Sequence, residues 1–389
     1  LALELGTPAI EMLAQQVNIL NRDMYAGGFE MEDNFDGVIV TEVNLQDEQL
    51  RKPSLAQVAI IFSITVTLFI TIGYIVQKNE IYSGLLITEF LLIMLPALLL
   101  LIICKYDIKK ILRINKVNLL NIFLIFFIMI FAIPVVGVFN LANIWIVTKV
   151  FGRVAISQPP VAKTLGGLLL NILVIGGSAG ICEEIMFRGV IQRGLERFGA
   201  VKSILFTSFL FAVMHFDFQK LFGTFLLGAL IGFIVYKTNS IFSGMFAHFS
   251  NNTVAVITSF AALKLNESLK SELSEMNNIY NTGIDFSAFE NLPPEMIVVA
   301  IFVAISMVLF CSAVLAGLII ALVKINNGKT EKIVPEKGKS LIGALWFLPA
   351  AAIIGFVYFS QGAALLRVEA DVAASVLKLL AQQLLPLLL

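Results

Sequence analysis

The chain has 389 residues and no formal net charge at pH 7, with 27 basic and 27 acidic side chains. Its apolar content of 58% and mean hydropathy of +0.91 exceed what a soluble core could bury, which excludes a soluble globular protein and indicates a polytopic membrane protein. The sequence has no basic block typical of nucleic-acid binding, and its three cysteines lie in or beside apolar runs, so we predict neither a nucleic-acid partner nor a disulfide framework.

Residues 1–52 differ in kind from the rest. The first 50 residues contain ten acidic side chains and one basic side chain, Arg22, with little sustained periodicity. We interpret this region as an acidic N-terminal tail that is soluble and disordered in part. It lacks the basic and apolar regions of a signal peptide, and a trimmed terminus or an added leader would each account for the missing initial Met.

From residue 55 onward, apolar runs of about 20 residues alternate with short polar connections. This pattern predicts an all-α, polytopic membrane helix bundle with about eight or nine transmembrane helices. The nine candidate spans are Leu55–Val76, Gly84–Cys104, Leu119–Phe139, Leu165–Arg188, Val201–Phe218, Leu221–Tyr236, Ile241–Phe260, Met296–Val323 and Leu341–Leu366.

These spans predict an organisation in segments. N-terminal membrane helices occupy 55–163, a core that carries the polar motifs occupies 164–262, and C-terminal membrane helices occupy 295–366. The stretch 263–294 is predicted to be a loop. In 367–389 apolar residues recur at a spacing of four, which predicts an amphipathic segment at the membrane interface.

Basic residues concentrate in the loops after the second, fourth, sixth and eighth candidate spans. Because Lys and Arg are retained on the cytoplasmic side, this alternation predicts a cytoplasmic N-terminus and an extracytoplasmic loop at 263–294. We expect an integral protein of the cell membrane of a prokaryote.

Two adjacent carboxylates and a guanidinium interrupt the fourth span, at Glu183, Glu184 and Arg188. A charge near the bilayer centre costs at least about 2.5–3.5 kcal/mol, so such a cluster indicates a functional site. Glu184 and Arg188 are four residues apart and are predicted to pair. Glu183 points about 100 degrees away and is left as a candidate general base. A salt-bridged triplet that only locks helices together is the structural alternative.

His215 and His248 are the only two histidines. In a helical hairpin around Gly199, Glu183 and His215 each lie 16 residues from the turn, so we expect them to meet at equal depth, about 24 Å along their helices. His248 is expected about 10 Å shallower than His215. A histidine in a membrane helix can also be a packing residue.

His248 and Asn252 are four residues apart and share one face of the seventh span. A pair of neutral donors at this spacing suits the stabilisation of an oxyanion. Asn251 is adjacent, but the spacing favours Asn252. Interhelical hydrogen bonding is the alternative explanation for both side chains.

In this order and on separate membrane helices, the motifs Glu-Glu-xxx-Arg, Phe-xxx-His and His-xxx-Asn resemble the CPBP family, which includes the Ras-converting CAAX endopeptidases and the bacterial Abi proteins. The resemblance covers roughly Leu165 to Phe260. It implies an intramembrane endopeptidase that hydrolyses a peptide bond of a membrane-associated protein or peptide. Its implied partners are membrane lipid and a peptide or lipidated protein substrate.

The resemblance also implies roles for individual residues. The first glutamate and first histidine activate water, the second histidine and the asparagine stabilise the oxyanion, and the remaining motif residues support the site. In this chain these are Glu183 and His215, then His248 and Asn252, then Glu184, Arg188 and Phe211.

Two rival interpretations remain open. Glu183, His215 and His248 could instead form a zinc site of the His2Glu kind, although the His-Glu-x-x-His arrangement of metalloproteases is absent from the sequence. We expect no cofactor, with zinc as the alternative. A non-enzymatic immunity, scaffold or transport protein would explain buried acids through proton coupling, but it leaves the His248 and Asn252 pair without a role.

Overall fold

The structure is a computed structural model that describes residues 50–151, 160–269, 293–336, 338 and 340–366. Most of the predicted acidic tail, residues 270–292 of the predicted loop and the predicted amphipathic segment 367–389 lie outside these residues.

The predicted fold class is confirmed: the described chain is an all-α helix bundle of membrane-spanning character. Two of its ten helices, α3 and α6, are short. The helices are α1 Leu55–Asn79, α2 Ile81–Ile103, α3 Ile108–Ile111, α4 Leu119–Phe151, α5 Leu165–Phe198, α6 Ala200–Val213, α7 Leu221–Thr238, α8 Ile241–Leu269, α9 Pro294–Ile325 and α10 Ile342–Ala364.

Within the described ranges, seven helices are long and apolar enough to cross a membrane, fewer than the nine predicted spans. Helix α6 has only 14 residues, so the predicted span Val201–Phe218 is wrong in its extent. Helix α8 is long enough but less apolar, because His248, Asn251 and Asn252 lie within it. These three polar residues therefore account for one of the two predicted spans that are missing from the seven.

Helix α5 is the buried centre of the bundle. Thr164 caps its first turn by accepting a hydrogen bond from the backbone N–H of Gly167. Farther along, Met186, Phe187 and Val190 are completely inaccessible to solvent. Helices α1, α2, α6 and α8 pack around this part of α5, so its side chains face protein and not lipid.

The winding of α5 changes around its acidic motif. The α-helical turn Ala179–Glu184 lies between two π-helical segments, Ile172–Ser178 and Ile185–Ile191. π-Helical turns are uncommon and are frequent at functional sites, because they change the direction in which side chains project.

Charged residues from four parts of the chain meet at one end of the bundle, in what we call the ionic cluster. Glu196 lies at its centre, 2.7 Å from the nearest side-chain nitrogen of each of three basic residues. Glu331 also accepts from these bases, at 2.7–3.3 Å. The ionic cluster consists of Lys52, Arg113, Arg193, Glu196 and Glu331.

The ionic cluster joins the segment before α1 to the segment after α3, the last turns of α5 and the segment after α9. Arg113 also donates from Nε to Oδ1 of Asn239, after α7, at 2.8 Å. Residues from several of the basic connections therefore meet at one end of the bundle, and the side of the membrane that this end faces stays a prediction.

The charge of Glu331 is held by its neighbours. Burial raises the pKa of this carboxyl group, but the positive charges of Arg193, Arg113 and Lys52 outweigh burial and lower the pKa to about 2. The carboxylate is therefore ionised, and stabilising, over the whole physiological range.

We expect Glu331→Gln to reduce the free energy of unfolding by roughly 1–2 kcal/mol at pH 7, a value discounted for the partial exposure of this side chain. Since the folded pKa is depressed from 4.5 to about 2, this contribution is lost as the pH falls through that window. Thermal unfolding in detergent would show the difference between the two proteins shrinking below pH 4.5. The exposed neighbour Lys332 provides the control Lys332→Gln, and a difference that is equal at pH 7 and at pH 3 would contradict the assignment.

Candidate active site

Glu184 binds two cationic or proton-donating side chains at once. Its Oε1 lies 2.7 Å from Nη1 of Arg188, which is the predicted i,i+4 ion pair, and 2.9 Å from Nδ1 of His248. Glu184 is completely buried and His248 is 4% exposed. The pair from α5 therefore fixes the ring of a histidine that comes from α8.

Arg188 has partners for its charge on three sides. Besides Glu184, its Nη2 donates to the backbone carbonyl of Gly228 at 2.9 Å, and its guanidinium lies 4.6 Å from the centre of the Phe211 ring. Carboxylate, carbonyl and aromatic face all stabilise a cation in a low dielectric. This accounts for a fully buried arginine in a membrane bundle.

Small residues on α8 and α5 make room for these groups. A Cβ atom on Gly244 would lie 2.8 Å from Oε2 of Glu184 and 2.5 Å from the side chain of Val235. A Cβ atom on Gly180 would lie 3.2 Å from the backbone of Met245. Close approach of α8 to α5 is thus a requirement of the Glu184 and His248 contact.

Glu183 lies beside the same histidine and has no donor for one of its oxygens. Its Oε2 is 4.0 Å from Nε2 of His248, and no hydrogen-bond donor of the described chain reaches that oxygen. Glu183 is 8% exposed. A buried carboxylate oxygen without a donor is available to accept a proton.

The bond to Glu184 changes what His248 can donate. A carboxylate held by Arg188 can only accept, so Nδ1 of His248 carries a proton. The predicted neutral donor therefore has no N–H left for an oxyanion. Nε2 can donate only when the ring is doubly protonated.

His215 lies in the turn that follows α6 and not within a helix, and it is exposed. Its Nδ1 is 2.8 Å from the carbonyl oxygen of Phe211, so Nδ1 donates and Nε2 is left as an acceptor. The next residue, Phe216, has a positive φ of 50°, which is rare for a bulky side chain. Helix α10 holds this turn, because Gln361 donates to the carbonyl oxygen of Phe216.

The ring of Phe211 lies between the two histidines. Its centre is 4.7 Å from the ring of His215 and 5.8 Å from that of His248. Contact with one phenylalanine brings the two rings into one site, and the expectation that His248 lies about 10 Å shallower than His215 stays a prediction. The predicted meeting of Glu183 with His215 is not a direct one: no hydrogen bond or ion pair joins them in the part of the chain that the structure describes.

Asn252 uses part of its hydrogen-bonding capacity within the protein. Its Nδ2 donates to the carbonyl oxygen of Ile175 at 3.0 Å, in a π-helical segment of α5, and its Oδ1 accepts from Asn251 at 3.1 Å. An amide nitrogen has two N–H groups, so one donor remains for a ligand. The bond to Ile175 fixes the direction of the amide.

Glu89 is the site residue that the motif analysis missed. It comes from a π-helical segment of α2, is 7% exposed, and its carboxyl group lies within hydrogen-bonding reach of that of Glu183. A sequence signal exists, because Glu89 is the only Asp, Glu, Lys or Arg in α2. An ionisable residue inside a span is by itself a reason to expect function.

The geometry of the site gives one observation in favour of the zinc alternative and one against it. In metal sites a hydrogen-bond acceptor that does not touch the metal commonly orients each histidine, and Glu184 and the Phe211 carbonyl occupy such positions for His248 and His215. Across the described ranges, however, no group of three or more His, Cys, Asp or Glu side chains is arranged to hold one metal ion.

Fold and site together define an integral membrane protein with buried carboxylates, a guanidinium and an imidazole converging between its helices. Residues 165–254 match the family model described as Rce1-like, type II CAAX prenyl endopeptidase Rce1-like. The resemblance is thereby confirmed: over these residues the chain is similar to the CAAX-type proteases of the CPBP family. No curated protein and no solved structure was found to match the chain.

We expect Glu184 and Arg188 to be energetically coupled. Removing one partner leaves the other charge buried and unpaired, at a cost of about 3–5 kcal/mol, whereas removing both costs less than the sum. Unfolding of Glu184→Gln, Arg188→Met and the double variant would measure this coupling. The exposed pair Lys110 and Asp107, 3.8 Å apart, is the matched control and should couple by less than about 1 kcal/mol. Additivity at both pairs would contradict the prediction.

Proposed function

We propose that the protein is an intramembrane endopeptidase in which Glu183 activates water for attack on a peptide bond. The observation that supports this most directly is the buried Oε2 of Glu183, which has no donor and lies 4.0 Å from Nε2 of His248 within the region matched by the protease family.

Glu183 alone can carry the proton from water to the leaving amide nitrogen. The carboxylate takes a proton from water, and the resulting hydroxide attacks the carbonyl carbon, whose π electrons move to oxygen. Glu183 then returns the proton to the amide nitrogen as the C–N bond breaks. The products are a carboxylic acid and an amine, and the base is regenerated. Nε2 of His215 is the acceptor that would orient the same water.

The negative charge on the substrate oxygen needs donors. We assign this role to the doubly protonated His248, through Nε2–H, and to the remaining N–H of Asn252. Glu184 and Arg188 support the site by holding His248, and Phe211 sets the positions of both imidazoles. These assignments keep the roles implied by the family resemblance and change only the protonation of His248.

We infer that the substrate is a peptide segment of a membrane-associated protein, with or without a prenyl group, bound beside a lipid bilayer. For the host membrane we propose the plasma membrane of a prokaryote. We further propose that the ionic cluster faces the cytoplasm, since the basic loops converge there.

We expect Glu183→Gln to abolish peptide cleavage by purified protein in detergent while leaving thermal stability unchanged, because the amide keeps the shape but cannot accept the proton. A library of membrane-protein peptides would serve as substrate. Glu80→Gln, on an exposed carboxylate between α1 and α2, is the control and should cleave normally. Wild-type rates in Glu183→Gln would overturn the assignment.

We expect cleavage by the wild-type protein to survive chelation. Tight binding of one zinc per chain by elemental analysis, with activity lost on its removal and regained on its return, would favour the zinc alternative at Glu183, His215 and His248.

The proposed orientation predicts which loops an impermeant reagent reaches. In intact cells, a cysteine replacing the exposed Glu295, at the start of α9, should be labelled from outside, whereas one replacing the exposed Lys332 should be labelled only after lysis. The half-buried Cys104 would be replaced first, while Cys182 and Cys311 are buried. The opposite labelling pattern would invert the orientation.

A further inference from the structure

Glu89 and Glu183 form a buried pair of carboxyl groups contributed by different helices. Glu89 comes from α2, which lies outside the region matched by the family model, and Glu183 comes from α5 inside it. The two residues are 7% and 8% exposed, and Oε2 of each has no hydrogen-bond partner. The Glu183 carboxyl group is the one within hydrogen-bonding reach of the Glu89 carboxyl group, and the segments that carry them, Thr88–Met94 and Ala179–Glu184, pack against each other.

Two ionised carboxylates in this position would both be acceptors and would repel each other. At close contact in a low dielectric such a pair holds one proton between its two members, as the paired acids of aspartic proteases do. The thiol of Cys182 also faces both carboxyl groups and brings no positive charge.

The total charge of the buried site also indicates that one of its carboxyl groups is protonated. Arg188 and the doubly protonated His248 proposed above provide two positive charges. The site holds three carboxyl groups, because Glu184 binds both of these side chains, Glu183 lies beside His248, and Glu89 lies beside Glu183. Glu184 is ionised, since it accepts from both cations. Glu183 must be ionised to act as a base. The proton that makes the buried site neutral therefore belongs to Glu89.

We propose that Glu89 is a positioning residue for Glu183, donating a hydrogen bond from its protonated carboxyl group to the Glu183 carboxylate. This inference rests on the proposed role of Glu183 as the water-activating base. The donated hydrogen bond holds the Glu183 carboxylate in one rotamer and leaves Oε2 directed toward His248. Glu89 does not touch the substrate in this scheme; it acts through Glu183.

The location of the proton can be measured without a substrate. Infrared spectra of protein carrying ¹³C-labelled glutamate distinguish a protonated carboxyl group from a carboxylate. We expect a band of a protonated, buried carboxyl group at neutral pH, present in wild type and in Glu183→Gln but lost in Glu89→Gln. Thr88→Val alters the adjacent buried residue, which bonds to Gly84 and Gln77, and should leave the band unchanged.

Measurements of kcat distinguish a positioning role of Glu89 from a packing role. Glu89→Gln keeps a neutral donor and should retain most of kcat, whereas Glu89→Leu should lower kcat by about 10–100-fold, as the loss of an orienting partner does, with KM unchanged. Thr88→Val should retain wild-type kcat. If Glu89→Leu proves unstable, the infrared comparison of Glu89→Gln with wild type decides the question.

The outcomes separate the two proposals. A band that is absent from wild type, or that persists at full intensity in Glu89→Gln, would overturn the role of Glu89. So would a Glu89→Leu variant with the kcat of wild type. An inactive Glu183→Gln alongside any of these results would leave the proposed function standing, whereas an active Glu183→Gln would remove both.

Discussion

Burial of charge is the constraint on which the rest of the structure depends. A guanidinium at 1% exposure and a carboxylate at 0% exposure persist in a bilayer protein because they meet at 2.7 Å and because each has a further polar partner, the Gly228 carbonyl for Arg188 and the His248 ring for Glu184. The geometry this imposes extends outward: Arg188 reaches the backbone of α7, Glu184 reaches His248 on α8, and α8 carries a glycine where the Glu184 carboxylate lies. Three helices are thus aligned by one ion pair.

Much of the site was readable from the sequence because membrane helices restrict where charge can lie. The Glu184 and Arg188 pair follows from helical spacing alone, and the family motifs point to the two histidines and Asn252. The surroundings of His215 were not readable. The short α6 and the irregular turn after it bring His215 beside Phe211, and a count of residues from Gly199 contains neither fact. Nor does helical periodicity show that Nδ1 of His248 is already occupied.

The region matched by the family model is completed by residues from outside it. Glu89 on α2 approaches Glu183, and Gln361 on α10 holds the turn that carries His215. Motif analysis does not detect such residues, because each stands alone in an apolar helix with no partner at fixed spacing. They are identified by their proximity to the motif residues in the folded chain. The spans that flank the core are therefore parts of the site, even though their own sequences are almost entirely apolar.

The length of α6 bears on how the second reactant, water, arrives in a hydrocarbon environment. Fourteen residues extend about 21 Å, well short of the roughly 30 Å of a bilayer core, so α6 alone is too short to cross one. Non-helical backbone within a bilayer core is tolerated only where protein covers it or water reaches it. The exposed His215 lies in this turn, away from the ionic cluster that ties the opposite end. Protein cover at this turn is incomplete, since His215 is exposed, so this turn is where water would reach the site.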